Sequence, residues 1–208
     1  MTPEPCDNGG VTALDAPARR PWVLAGFFIL AGAIGWWAAF QLTLEKIHLL
    51  ENPEAVLGCD FSILVQCGKN LESWQGSVFG FANPILGLGG FVAPIAVGVA
   101  LLAGARFDRW FWITFHLGVT GALAFVIWLI SQSIFALFTL CPWCMVVWSV
   151  TIPLWWSLTF RNLAEGVYGD GPRRVGAALR SWVVPITIAS YAVIAIIAQV
   201  RLDVIAYL

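Results

Sequence analysis

Trp110–Phe160 reads WFWITFHLGVTGALAFVIWLISQSIFALFTLCPWCMVVWSVTIPLWWSLTF and contains no Asp, Glu, Lys or Arg. A helix rises about 1.5 Å per residue, so as one rod this stretch would run about 75 Å. A bilayer core is about 30 Å thick. The chain must therefore cross twice and turn once. The break falls at Ser131–Cys141, where Ser-Gln-Ser and then Thr-Leu-Cys-Pro interrupt the apolar pattern. Two spanning helices follow, about 110–131 and 142–160, and Cys141-Pro142-Trp143-Cys144 opens the second.

Outward from this stretch, three more segments reach the roughly 20 apolar residues that a span needs. They are 22–44, about 78–104 and about 182–200. Between the first two lies a polar loop, about 45–76, with Glu45, Lys46, Glu51, Glu54, Asp60, Lys69 and Glu72. Arg106, Asp108 and Arg109 end the 78–104 segment, and 161–180 is a polar, Gly-containing connection. The composition agrees: 60% of the 208 residues are hydrophobic and 11% charged, against about 25% charged in soluble domains. The reading is an all-α integral membrane protein of five transmembrane helices. The net charge of −1 gives no argument for nucleic acid. The twelve tryptophans suit bilayer interfaces.

Residues 1–20, rich in Pro, Gly, Asp and Ala, read as a disordered tail, and 21–205 as the membrane catalytic domain. Arg19 and Arg20 precede the first apolar segment as in a signal peptide. That segment exceeds an h-region of about 7–15 residues, so it reads as a retained helix. Arg19, Arg20, Arg106, Arg109, Arg161, Arg173, Arg174 and Arg180 share one side of the membrane, and only Lys46, Lys69 and Arg201 the other. Positive residues stay inside. The tail is then cytoplasmic, and the 45–76 loop, the 131–141 turn and the C-terminus lie outside.

Four of the five cysteines fall on that outer side, where disulfides persist. Cys6 falls inside and reads as a free thiol. In Cys-Pro-Trp-Cys, Pro142 suits the first turn of a helix, where an N–H would go unpaired anyway. Cys141 is then near the N-cap and Cys144 lies on the same face, where the helix dipole favours a thiolate. The plainer alternative is a pair of buried apolar cysteines. Cys59 and Cys67 enclose Asp60-Phe61-Ser62-Ile63-Leu64-Val65-Gln66. Alone they read equally as a structural clip; beside a second dithiol on the same face they read as a shuttle. Exchange between the pairs would need the loop to approach the motif, which predicts a mobile loop. A four-thiolate zinc site would want two short knuckles, and only one pair has that spacing.

Asn83-Pro84 puts a polar amide at membrane depth, where it needs a partner. It reads as relief for the helix start at Pro84 or as a donor to a carbonyl ligand. His116 is ionisable inside the third span, far from both thiol pairs, and a helix–helix hydrogen bond accounts for it. Glu45, Lys46 and His48 read as a solvated helix end. Gly87, Gly89 and Gly90 read as close-packing positions.

The order of these features resembles the vitamin K epoxide reductase family, in its bacterial branch. A first helix is followed by Cys59 and Cys67 in an outer loop, Ser73, Asn83 at the second helix, and Cys141 and Cys144 at the fourth. The resemblance covers roughly residues 22–160. An unrelated bacterial thiol oxidase uses a similar logic but places its Cys-x-x-Cys before its other pair. The resemblance implies a four-helix bundle around a quinone, menaquinone or ubiquinone, with the fifth helix peripheral. It implies that Cys144 faces the quinone, that Cys141 exchanges with Cys67, and that Cys59 resolves and meets the reduced partner. Asn83 would hydrogen-bond the quinone oxygen and Ser73 would position the loop. Many bacterial relatives carry a fused thioredoxin-like domain after the fifth helix; here the chain ends at Leu208, so a separate thioredoxin-fold protein is the expected partner. Vertebrate members carry Tyr four residues after the motif's second Cys, where this chain has Trp148 at the quinone site.

The expected function is thus a thiol:quinone oxidoreductase of a bacterial cytoplasmic membrane that supports disulfide formation outside. The alternatives are reduction of vitamin K epoxide or quinone as the physiological product, and a structural membrane protein whose outer loops are clipped by disulfides.

Overall fold

The computed structural model describes residues 22–207; Cys6 and the expected tail lie outside them. Five helical stretches among these residues are long and apolar enough to cross a membrane: Trp22–Glu51, Pro84–Leu102, Arg109–Leu137, Pro142–Ala164 and Arg173–Leu202. The described residues contain no strand, only one parallel bridge between Val65 and Leu140. The chain is an all-α, multi-pass membrane protein.

Helix α1 (Trp22–Glu51) has 30 residues, about 45 Å at about 1.5 Å each. That exceeds the bilayer core, so its last turns carry Glu45, Lys46, His48 and Glu51 clear of the span. After a short helix α2 (Gly68–Glu72) and a 3-10 turn (Trp74–Ser77), the second span starts at Pro84, later than the expected 78. Gly80 takes a left-handed conformation (φ 81) that stops a helix from forming earlier, and Pro84 suits the first helical position. The span divides into α3 (Pro84–Gly90) and α4 (Val92–Leu102). Pro94 has no N–H for the Gly90 carbonyl and its ring crowds that oxygen, so the division falls there.

Helix α5 (Arg109–Gln132) runs into a π turn, Ser133–Leu137, which Phe138 ends in the left-handed region (φ 54). Helix α6 (Pro142–Ala164) carries Pro153 in its interior. Proline cannot donate to the carbonyl four residues back, so Ser149 loses its helical donor. Tyr191 fills the vacancy: its hydroxyl donates to the Ser149 carbonyl at 2.5 Å. Tyr191 belongs to α8 (Val183–Leu202), which follows a short α7 (Arg173–Leu179). Trp156 adds a second tie from α6 to α8, its ring N–H donating to Ser190 Oγ at 3.3 Å. The packing of α8 is against α6 and the π turn, so the fifth span is peripheral.

The inner helices meet along unequal seams. Helix α1 packs on α3, α4 and α6, and α5 packs on α6. The α1–α4 seam is closed by missing side chains. A Cβ on Gly35 would lie 2.3 Å from the Phe91 ring, and one on Gly98 would lie 2.7 Å from the Ala25 carbonyl. Between α3/α4 and α5 there is no extended contact. There Gly90, Gly118 and Gly121 have nothing within 4 Å of where a Cβ would stand. Of the three glycines expected to pack closely, only Gly87 does so, with 2.8 Å to Ala39 Cβ; Gly89 and Gly90 face open space.

Candidate active site

Both cysteine pairs lie at one end of the bundle. Cys59 and Cys67 form a disulfide with Cα atoms 5.8 Å apart. Asp60 holds this loop from inside. Its Oδ1 accepts the N–H of Cys67 at 2.7 Å and of Gly68 at 3.1 Å, and its Oδ2 accepts that of Leu57 at 3.3 Å. The carboxylate thereby satisfies the first free donors of α2. At the other end of α2, Lys46 Nζ donates to the Leu71 carbonyl at 2.7 Å.

Cys141 and Cys144 are free thiols. Cys141 occupies the N-cap of α6, where extended backbone lets its Sγ accept the Cys144 N–H at 3.4 Å. Its sulfur stands 3.4 Å from Cys67 Sγ, and both residues are fully buried. Two backbone bonds set this approach. Leu140 N–H donates to Leu64 O at 2.8 Å, and Gln66 N–H donates to Leu140 O at 3.1 Å. The loop expected to travel to the motif is already docked on it. The reason is that the residues just before Cys141 are extended and offer the loop an edge to pair with.

A cavity of about 610 Å³ opens between the helices and reaches from the cysteine end into the span. Cys144, Trp148 and Thr151 line it from α6, Asn83 and Gly90 from the second span, and Gly118 and Gly121 from α5. Its walls are overwhelmingly apolar; its amides, Asn70, Gln75, Asn83 and Gln132, come from the loop and helix ends on the cysteine side, and Thr114 and Thr151 line it further along the spans. Such a lining suits an apolar molecule with a few hydrogen-bonding atoms at one end.

Of the sequence-derived site residues, Ser73, Asn83, Cys144 and Trp148 line this cavity, and Cys59, Cys67 and Cys141 are not part of its lining. Ser73 Oγ donates to Asn70 O at 2.8 Å and accepts the Gly76 N–H at 3.3 Å, capping the 3-10 turn. Asn83 is buried; its Oδ1 accepts the Val78 N–H at 3.1 Å and its Nδ2 donates to Gln75 O at 2.6 Å. It therefore pins the 75–83 segment rather than capping α3. An amide NH₂ has two hydrogens, so one is left after that bond. Trp148 is buried against Leu64, Ile130, Ile134 and Leu140. His116 stays apart from the thiols: its ring bonds Tyr168 and, at 2.9 Å, Thr159 Oγ1, a tie between α5 and α6.

Sequence reasoning missed Asn70, Gln75, Gln132 and Ser133 on the cavity wall, and Asp60 and Thr139 as braces of the loop and the turn outside it. A signal existed for three of them. Gln132, Ser133 and Thr139 are polar side chains within a charge-free apolar stretch, where a polar group needs a partner.

With this geometry in view, the chain can be set beside known proteins. The model of the vitamin K epoxide reductase family matches residues 27–159, well over half of the chain. No curated protein matches it. The matched region starts in α1 and ends in α6, so it holds both cysteine pairs and leaves α8 outside. The chain belongs to the vitamin K epoxide reductase family, and its membership makes it a membrane oxidoreductase.

Proposed function

We propose that this family member passes electrons from a reduced thioredoxin-fold protein to a membrane quinone and so supports disulfide formation outside the cytoplasm. The observation that carries the reading is the 3.4 Å approach of Cys141 Sγ to Cys67 Sγ, with Cys144 bordering an apolar cavity. A dithiol partner reduces Cys59–Cys67 by exchange, leaving with its own disulfide. The Cys67 thiolate then attacks Cys141 of a Cys141–Cys144 disulfide, and Cys144 leaves with the electron pair. Cys59 attacks Cys67 and releases Cys141. The products are a closed loop disulfide and two thiols on α6, the arrangement described above.

The cavity fits a quinone: its walls are apolar, and its amides lie at the thiol end. Bound there, menaquinone or ubiquinone supplies an acceptor for two electrons and two protons. Cys144 would be the thiolate facing that acceptor, and Cys141 would close on Cys144 as the pair gives up two electrons and two protons to become the α6 disulfide. Asn83 would hold the ring oxygen with its remaining amide hydrogen, Ser73 would keep the loop roof in place, and Trp148 would form a wall. The spread of arginines supports a cytoplasmic N-terminus and an external thiol end in a bacterial cytoplasmic membrane.

The test is quinone reduction by the purified protein, followed by quinone absorbance, with a reduced Cys-x-x-Cys protein as donor. Activity is expected in the wild type and in none of Cys59→Ala, Cys67→Ala, Cys141→Ala and Cys144→Ala. Loss only without Cys141 or Cys144 would make the loop pair a structural clip. An inactive wild type would favour the clipped structural protein.

A further inference from the structure

We infer that Asn70 is a positioning residue for the exchange between the pairs: its side-chain amide bridges α2 to both ends of the turn before Cys141 and sets Cys67 against Cys141. The inference rests on the proposed relay and adds a residue to it.

Asn70 lies three positions after Cys67, so both side chains leave the same face of α2. Cys67 points its sulfur at Cys141. Asn70 Nδ2 donates to Thr139 Oγ1 at 2.9 Å, and its Oδ1 accepts from Ser133 Oγ at 2.9 Å. Ser133 opens the π turn, and Thr139 follows the left-handed Phe138 that ends it. One amide thus joins the two ends of a turn whose own backbone closure rests on a single acceptor, the Ser133 carbonyl, which takes the Phe138 N–H and, at 3.1 Å, the Thr139 N–H. Thr139 is 1% and Ser133 4% exposed. Loss of the amide therefore strips a buried hydroxyl of its partner at each end of the turn. Thr139 stands two residues before Cys141, so a shift of the turn against α2 moves one sulfur away from the other.

Thiol exchange depends steeply on such placement. In the step concerned the Cys67–Cys141 bond forms, the Cys141–Cys144 bond breaks, and the electron pair leaves on Cys144. A misplacement of about 1 Å can cost about 100-fold.

The experiment isolates the two sulfurs. In a Cys6→Ser, Cys59→Ser, Cys144→Ser background, only Cys67 and Cys141 remain. The equilibrium of their bridge against glutathione is read by alkylation and intact mass. Asn70→Ala is expected to lower that equilibrium constant about 10- to 100-fold, and Thr139→Val should lower it similarly. The two together should cost little more than Asn70→Ala alone, because that variant already removes the Asn70–Thr139 bond. With the native cysteines restored, Thr139→Val should keep quinone reduction driven by a small dithiol and slow that driven by a Cys-x-x-Cys protein. An unchanged equilibrium constant in Asn70→Ala would overturn the inference while leaving the relay intact. A parent that forms no Cys67–Cys141 bridge would overturn the relay itself. Equal losses in both quinone assays for Thr139→Val would show a general structural role and also overturn the inference.

Discussion

Two seams of this bundle are built from the same residue and do opposite things. Along α1 and α4, Gly35 and Gly98 remove side chains so that helices touch; an added Cβ would collide with the Phe91 ring or the Ala25 carbonyl. Along α3 and α5, Gly90, Gly118 and Gly121 remove side chains and nothing of the protein fills the space. In the first seam small residues substitute for the hydrophobic effect, which drives little association in lipid, by allowing close van der Waals contact. In the second they keep a volume that the fold itself does not use. That contrast is the physical argument for a ligand cleft beside Cys144.

The largest expected effect comes from filling the closed seam. Gly35→Leu has no room, and overpacking costs about 1–3 kcal/mol or more; a clear fall in melting temperature in detergent is the readout. Gly118→Leu or Gly121→Leu should break the comparison in the other direction. Stability should stay within about 0.5 kcal/mol, while the KM for quinone rises about tenfold or more. A Gly118→Leu protein that melts like Gly35→Leu would mean the cleft is packed. Unchanged quinone kinetics in a well-folded Gly118→Leu would mean that the cleft is not where quinone sits.

Smaller changes sharpen the picture at each end. Ser73→Ala removes the cap of the 3-10 turn over the cavity, for about 1 kcal/mol. Thermal unfolding should record that loss, and the KM for quinone should rise with it. Tyr191→Phe leaves the Ser149 carbonyl without a donor beside Pro153. In membrane bundles such bonds average about 0.6 kcal/mol, so a slight fall in melting temperature with unaltered quinone kinetics is expected.

Much of the architecture was legible before any coordinates. A charge-free stretch too long for one crossing can only turn back, which put Cys141 at a helix start and both thiol pairs at one end. Hydropathy does not see Gly80, Pro84 and Pro94 as punctuation, so the second span started six residues early and its division at Phe91 went unread. Glycine content cannot say whether the missing side chain admits a neighbour or leaves a void, so Gly89 and Gly90 were assigned to the wrong use. Asp60 looked like an ordinary loop charge because its three backbone partners become neighbours only when the loop closes. Asn70 meets Ser133 and Thr139 across the long separation between loop and turn, and no periodicity encodes that pairing. Ser73 and Asn83 were reached through family resemblance; their spacing alone carried little.

The central claim is that electrons cross between the pairs through Cys67 and Cys141. A Cys59→Ala protein, supplied with a reduced Cys-x-x-Cys donor and quinone, lacks the thiol that resolves the mixed disulfide. Peptide mapping by mass spectrometry should then find Cys67 bridged to Cys141 in most molecules. A bridge from Cys67 to Cys144, or free Cys67 beside a fully re-formed Cys141–Cys144 disulfide, would contradict it.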